Sequence, residues 1–207
     1  MKINKVAVIG AGLMGSGIAA QVANAGFPVT LLDIVPDGAT NRNVIADSAV
    51  RKMLKPVKLG SPAPLMHKKN AKLITTGNID DNLDLIKDAD LIIEVVLERL
   101  DVKHDVLSKI EKHRKKGSIV TSNTSTIPRE QLVKGMSESF AKDFMITHFF
   151  NPPRYLRLLE IVSGSEVSSD KVQIVSDFCD INLGKEVVVC NDTPGFLGNR
   201  IGVYAMQ

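Results

Sequence analysis

One segment near the N-terminus constrains the fold of this chain more than any other. Lys5 to Ile9 is a short apolar run, KVAVI, and it leads straight into Gly10-Ala11-Gly12-Leu13-Met14-Gly15. Met14, Ile18, Val22 and Ala25 then recur at helical spacing, Gly26 stops the repeat, and Val29 to Asp33 reads as a second strand. Strand, glycine turn, helix and strand in about thirty residues is the span of a βαβ unit. The pattern G-x-G-x-x-G is weak alone and gains weight from following a strand and opening a helix. In that setting Gly10 permits the tight turn, Gly12 lets a pyrophosphate approach the backbone, and Gly15 lets helix and strand pack closely. The helix start at Leu13 and Met14 offers free amides to phosphate. Asp33 ends the second strand, where a carboxylate can accept hydrogen bonds from ribose hydroxyls. No Arg is adjacent to Asp33, and Arg42 is too far along to hold a 2′-phosphate, so NAD is expected over NADP. Helix capping is the other reading of Asp33, although Asp37 is better placed for it.

The rest of the chain repeats the alternation. A helix is expected from Asp37 to Leu54, with Ile45, Ala46, Ala49, Val50 and Met53 on one face. Strands are expected at Leu73 to Thr75, Leu91 to Leu97, Ser118 to Ser122, Phe144 to Phe150, Leu156 to Val162 and Val187 to Cys190. Helices are expected at Asp80 to Lys87, Arg99 to Lys115 and Ser169 to Ile181. Near the end, Thr193 can cap a helix whose first turn holds Pro194. This order predicts an α/β fold: a Rossmann-type, doubly wound, mostly parallel sheet.

Charge is distributed unevenly. Arg51, Lys52, Lys55, Lys58, Lys68, Lys69 and Lys72 fall in a stretch with no Asp or Glu between Asp47 and Asp80. The proline-punctuated SPAPL divides it, so a helical hairpin projecting from the sheet is expected there. Such a segment points to a local anionic partner or to a merely solvated helical pair. It lacks interleaved aromatics, which argues against nucleic acid. No apolar stretch is long enough to span a bilayer. The N-terminus runs directly into a strand, so the cytoplasm is the expected compartment. Cys179 and Cys190 show no metal-type spacing and are expected to be reduced; no metal site is expected.

Two strands carry the chemistry. Phe144, Ile146, His148 and Phe150 share one strand face, and Leu158, Glu160 and Val162 share another. A carboxylate on an otherwise apolar face needs a partner. His148 can be that partner, with Glu160 orienting the imidazole for proton transfer. Alcohol oxidation needs such a base. Ser122 and Asn151 stand where a doubly wound sheet presents its ligands; a turn cap and a pre-proline turn residue are their plain structural readings. Glu98 is read at the end of the strand LIIEVVLE. Lys103 lies on the apolar face of its helix and near its N-terminus, where a cation is disfavoured. Contact with an anion and snorkelling to solvent explain it equally well.

Together VIGAGLMGSGIA, SNTST, HFFNPPRYLRLLEIV and DTPGFLGNR resemble the L-3-hydroxyacyl-CoA dehydrogenase family across essentially the whole chain. The resemblance implies oxidation of (S)-3-hydroxyacyl-CoA by NAD to 3-ketoacyl-CoA, in fatty-acid β-oxidation. It implies His148 as base, Glu160 as its partner, and Ser122 and Asn151 at the substrate oxygen. Gly10, Gly12, Leu13, Met14, Gly15, Asp33, Glu98, Lys103 and Ser122 would hold NAD. Ser48, Lys55, Asn151 and Asn199 would meet the substrate, the basic segment taking the coenzyme A phosphates. PAPLMHKKNA and NPPRYLRLLE are similar to long bacterial forms that join the dehydrogenase to an enoyl-CoA hydratase. The family continues into a helical C-terminal domain that mediates dimerisation. Residues 1–191 are therefore expected to be the NAD-binding domain and 192–207 the first helix of an essentially missing helical one. Two other readings stay open: an NAD- and CoA-binding fragment with little turnover, and a sugar-acid (gulonate-like) dehydrogenase on the same fold.

Overall fold

The computed structural model describes residues 1–56 and 62–206. Its frame is one eight-stranded sheet: β1 (Val6–Ile9), β2 (Val29–Asp33), β3 (Ile74–Asn78), β4 (Leu91–Glu94), β5 (Ile119–Ser122), β6 (Phe144–Phe149), β7 (Leu158–Ser163) and β8 (Glu186–Cys190). The spatial order is β3-β2-β1-β4-β5-β6-β7-β8. Strands β1 to β6 run parallel, β7 is antiparallel to β6, and β8 is parallel to β7. The order reverses between β1 and β4, which opens a crevice at their carboxyl ends. The helices are α1 (Leu13–Asn24), α2 (Val44–Met53), α3 (Leu100–His113), α4 (Arg129–Val133), α5 (Glu138–Ala141), α6 (Ser169–Asp177) and α7 (Gly198–Ala205). The expected mostly parallel, doubly wound sheet is present; the β6–β7 reversal through a short loop is the departure from strict strand–helix alternation.

The aliphatic composition explains the packing. Val6, Val8, Leu31 and Ile93 join Ile18, Ala19 and Val22 of α1 on one side of the sheet. Ala7, Ile9, Ile92 and Val120 meet Val106, Leu107 and Ile110 of α3 on the other. A central parallel strand is buried on both faces, so it reads as a continuous apolar run rather than an alternation.

Several elements differ from expectation. Residues 37–43 form turns, and α2 starts only at Val44; its N-cap, Asn43, makes no cap bond, its Oδ1 accepting instead from the Asn78 side chain at the end of β3. The return arm of the expected hairpin is a 3-10 helix, Lys68–Leu73, laid against α1. Asn24 holds it there, donating to Pro64 O and accepting from Met66 N and the Asn70 side chain. The tip, with Lys58, lies outside the described residues. Leu83–Ile86 is a 3-10 turn where a helix over 80–87 was expected. β4 ends at Glu94, so Glu98 stands in the loop before α3 and not on the strand. At the C-terminal end, Thr193 and Pro194 do not start a helix. Gly195 and Phe196 take positive φ (74° and 46°), and α7 begins at Gly198. Burial of Phe196 among Ile9-side core residues outweighs the local capping signal. Residues 192–198 are thus part of the sheet's packing: Asp192 also accepts from Arg129 N and Glu130 N.

Phe196→Ala should therefore destabilise the fold by about 3–5 kcal/mol in urea unfolding, the cost of a buried Phe truncation. A change under about 1 kcal/mol, the scale of surface substitutions, would show that this segment is a loosely attached tail.

Candidate active site

The glycine turn is built as a cradle. A side chain at Gly10 would run into the Val95 carbonyl, and one at Gly15 into the Gly10 carbonyl, whereas at Gly12 it would meet nothing within 4 Å. Two glycines are required by packing, and the third leaves open space above the start of α1. Leu13 is 73% exposed there, and the first-turn amides have no intrahelical partner. That combination fits a pyrophosphate. Asp33 turns its carboxylate into the loop, accepting from Ala11 N and from Ile34 N at 2.7 Å. It therefore braces the turn itself, and only the remaining lone pairs are left for ribose hydroxyls. Arg42 forms a two-pronged pair with Asp81, which leaves no guanidinium beside Asp33 for a 2′-phosphate.

A second cluster closes the end of β4. Lys103 is 1% exposed and sits 2.8 Å from Glu94 Oε1 and 3.2 Å from Glu98 Oε2. Its position on the apolar face of α3 is explained by these two carboxylates, not by snorkelling. Glu94 is fully buried and takes a second bond at 2.5 Å from Ser122 Oγ and a third from Val96 N. Ser122, itself fully buried, thus spends its only proton on Glu94. Glu98 gathers the SNTST loop: Thr124 Oγ1, Ser125 N, Thr126 N and Thr126 Oγ1 all donate to its Oε1. Burial alone would raise the Glu98 pKa, but the Thr124 hydroxyl and the Lys103 charge outweigh it and hold the carboxyl below its ordinary 4.5. The partnership of Glu94 was missed from sequence, because LIIEVVLE offers two acidic residues and only the strand's true end tells them apart. Asn123 was also missed: its side chain accepts from Phe149 N at 2.9 Å and ties β5 to the end of β6.

His148 and Glu160 come directly opposite each other in the β6–β7 ladder. Nδ1 of His148 lies 2.6 Å from Glu160 Oε2. Glu160 is fully buried and His148 6% exposed. The other carboxylate oxygen accepts from Leu197 N at 2.9 Å and Gly198 N at 2.7 Å, at the start of α7. The imidazole is packed by Phe150 at 4.5 Å and Phe196 at 5.8 Å between ring centres. With Nδ1 held by the carboxylate, Nε2 is the nitrogen left to exchange a proton. Asn199 lies one residue beyond the amides that hold Glu160, half-buried in the first turn of α7, and Asn151 lies exposed three residues beyond His148. Ser48 and Lys55 stand apart from this group, at α2; Ser48 Oγ accepts from Arg51 at 2.7 Å. Arg51, Lys52, Lys55, Lys68, Lys69 and Lys72 are all exposed and form no ion pair with a described residue. Among the described residues no cluster could hold a metal ion, and both cysteines are free.

Lys103→Met should cost about 3–5 kcal/mol in denaturant unfolding, since it strands the Glu94 carboxylate in the core. Adding Glu94→Gln should recover part of that loss, because the two sites share one interaction. Glu98 contributes stability that is present above pH 4.5 and lost as the pH falls through its lowered folded value. Glu98→Gln should accordingly flatten the acid limb of a stability–pH curve below about pH 4.5.

Residues 5–193 match the family described as 3-hydroxyacyl-CoA dehydrogenase, NAD binding domain. Two relatives named Probable 3-hydroxyacyl-CoA dehydrogenase are similar along the chain. The protein from Deinococcus radiodurans is 49% identical over 206 residues, covering 100% of this chain and 58% of that protein. The protein from Bacillus subtilis is 45% identical over 218 residues, covering 99% and 27%. The crystal structure of (S)-3-hydroxybutyryl-CoA dehydrogenase from Ralstonia eutropha superposes with a TM-score of 0.76 at 31% identity, covering 97% of this chain and 68% of that one. The chain thus spans from about a quarter to just over half the length of these two relatives. With its cradle, its strand order and its sequence all in agreement, the chain belongs to the 3-hydroxyacyl-CoA dehydrogenase family, of which it carries the NAD-binding domain.

Proposed function

We propose that this chain takes part in the NAD-dependent interconversion of (S)-3-hydroxyacyl-CoA and 3-ketoacyl-CoA in fatty-acid oxidation. The observation that carries the reading is the buried His148–Glu160 pair, standing at the same end of the sheet as the Gly12 cradle. NAD supplies the acceptor for the hydride released from C3 of the substrate. His148 takes up the hydroxyl proton at Nε2. Glu160 compensates the imidazolium that results, and it stays fixed because the Leu197 and Gly198 amides hold its second oxygen. In reduction the same proton returns to the forming alkoxide.

The remaining roles follow from placement. Gly10, Gly12, Leu13, Met14 and Gly15 form the pyrophosphate cradle, with Asp33 at the ribose. Glu98, Lys103 and Ser122 act on the nicotinamide side by shaping the crevice wall, since Lys103 and Ser122 are too deeply buried to reach far beyond it. Asn151 and Asn199 flank the substrate oxygen. Ser48, Lys55 and the exposed cations around α2 meet the coenzyme A phosphates. The anionic thioester, not nucleic acid, is the partner of that patch. No helix among the described residues is long and apolar enough to cross a membrane. Two free thiols suit a reducing compartment, and we place the protein in the cytoplasm.

The test is oxidation of NADH by the purified chain with acetoacetyl-CoA. His148→Ala should lower turnover by about 10²–10⁴-fold, the range of a lost general acid–base, while equilibrium NADH binding stays as in the parent. Loss of NADH binding in that variant would remove His148 from the proton-transfer role. A parent chain that binds NADH without reducing acetoacetyl-CoA would favour a binding fragment. Equal activity on a CoA-free sugar acid would move the substrate class.

A further inference from the structure

Lys185 has no place in the chemistry above, yet it is one of the most deeply buried side chains in the protein, at 2% exposure. It opens the approach to β8, and no carboxylate among the described residues pairs with it. Its ammonium donates instead to two main-chain carbonyls, Pro153 O and Leu156 O at 2.8 Å, and lies 5.7 Å from the Phe149 ring centre. Burial pulls its pKa below the ordinary lysine value. A cation buried without a counter-charge is costly and persists where its hydrogen bonds do something specific. Both bonds here end on one loop.

That loop, residues 150–157, joins the strand of His148 to the strand of Glu160 and carries Asn151. Arg157, at its end, meets Glu186 through main chain and side chain; within the loop, among the described residues, three further anchors fix it. Lys185 holds it from β8. Pro153 is buried against α1, where a side chain at Gly17 would stand 3.0 Å from Pro153 Cδ. Arg154 donates to Ala63 O, in the stretch that leads into the return arm of the basic segment. The loop thus ties the dyad's hairpin both to the cofactor helix and to the segment bearing the exposed cations. Of the three anchors, Lys185 alone binds at two points, on either side of Arg154.

We propose that Lys185 is a positioning residue: through Pro153 O and Leu156 O it sets the 150–157 loop, and with it Asn151 and Arg154, in register with the His148–Glu160 pair. The inference rests on the reading of the site as a 3-hydroxyacyl-CoA dehydrogenase site. It assigns Lys185 to the substrate side of the site and not to the cofactor side.

The experiment uses the whole chain and two readouts. Limited trypsin digestion with mass-spectrometric assignment reports the loop directly, because Arg154 and Arg157 both lie in it. Lys185→Met, which removes both donors, should speed cleavage at those two arginines about tenfold, with cuts elsewhere unchanged, as local opening requires. Lys185→Arg should restore protection. In the kinetic readout, Lys185→Met should lower kcat/KM for acetoacetyl-CoA by about a hundredfold, the cost of misplacing a substrate contact by an ångström, with the dissociation constant for NADH unchanged. Should Lys185→Met not fold, Lys185→Gln, which keeps a single donor group, carries the same comparison. The proposal is overturned if cleavage at Arg154 and Arg157 is unaltered. It is equally overturned if cleavage rises throughout the chain and NADH affinity falls together with turnover, the signature of a general structural role. A parent chain that does not act on acetoacetyl-CoA sinks the proposed function, and the tryptic pattern still decides the tether.

Discussion

The antiparallel register of β6 and β7 is the constraint around which the site is organised. It sets a histidine opposite a glutamate in the interior, and a buried carboxylate is tolerable only when its oxygens are occupied. His148 takes one oxygen of Glu160. The other is taken by the Leu197 and Gly198 amides at the head of α7, where the helix end also favours negative charge. Closure of residues 192–198 onto the sheet is thus a condition for the dyad and not a decoration upon it. Phe196 serves both ends of this arrangement, filling the core beneath and packing against the imidazole above.

The glycine turn and the β4 cluster answer the same problem with opposite charges. At the turn, unpaired amides await an anion, and Asp33 already neutralises part of the demand by accepting from Ala11 and Ile34. At β4, Glu94 and Glu98 surround the Lys103 ammonium, so that one cation serves two carboxylates. The first-turn position of Lys103 on α3 is unfavourable for a cation by the helix dipole alone. Direct pairing at 2.8 Å inside a protein far exceeds that effect. The result is a rigid floor at the strand switch point. Ser122, Thr124 and Thr126 are held in place by acceptors beneath them.

What the sequence disclosed depended on range. The glycine cradle was legible because its three requirements lie within six residues. His148 and Glu160 were legible because each stands on an apolar strand face, and a charged residue there demands a partner. The mostly parallel sheet followed from alternation. The start of α7 was not legible: Thr193 and Pro194 carry the local marks of a helix start, and a tertiary demand, the burial of Phe196, overrode them. Glu94, Asn123 and Lys185 were equally hidden, since their meaning lies in partners 28, 26 and 32 residues away. The expected helical return arm failed for a similar reason. Asn24, far back on α1, supplies the hydrogen bonds that hold it as a 3-10 turn.

Three of the buried charged groupings are compensated in three different ways, and the manner of compensation differs with what each holds. The Glu94–Lys103 pair is closed on itself with hydroxyls and amides filling the remaining valences, which is the pattern of a fixed scaffold. The Glu160–His148 pair is closed on the glutamate side and open at Nε2, which leaves one nitrogen able to exchange a proton. Lys185 is compensated by no carboxylate among the described residues but by two carbonyls of a loop and the face of Phe149, so its hydrogen bonds bear on the position of that loop. On the proposed function, a site assembled this way fixes its base on paired strands, where position is most precise. Asn151 lies exposed on a loop, and that loop is anchored from three directions. Preorganisation of this kind would, on the proposed function, let a reacting hydroxyl, the His148 base and a hydride acceptor meet without reordering the protein at each turnover.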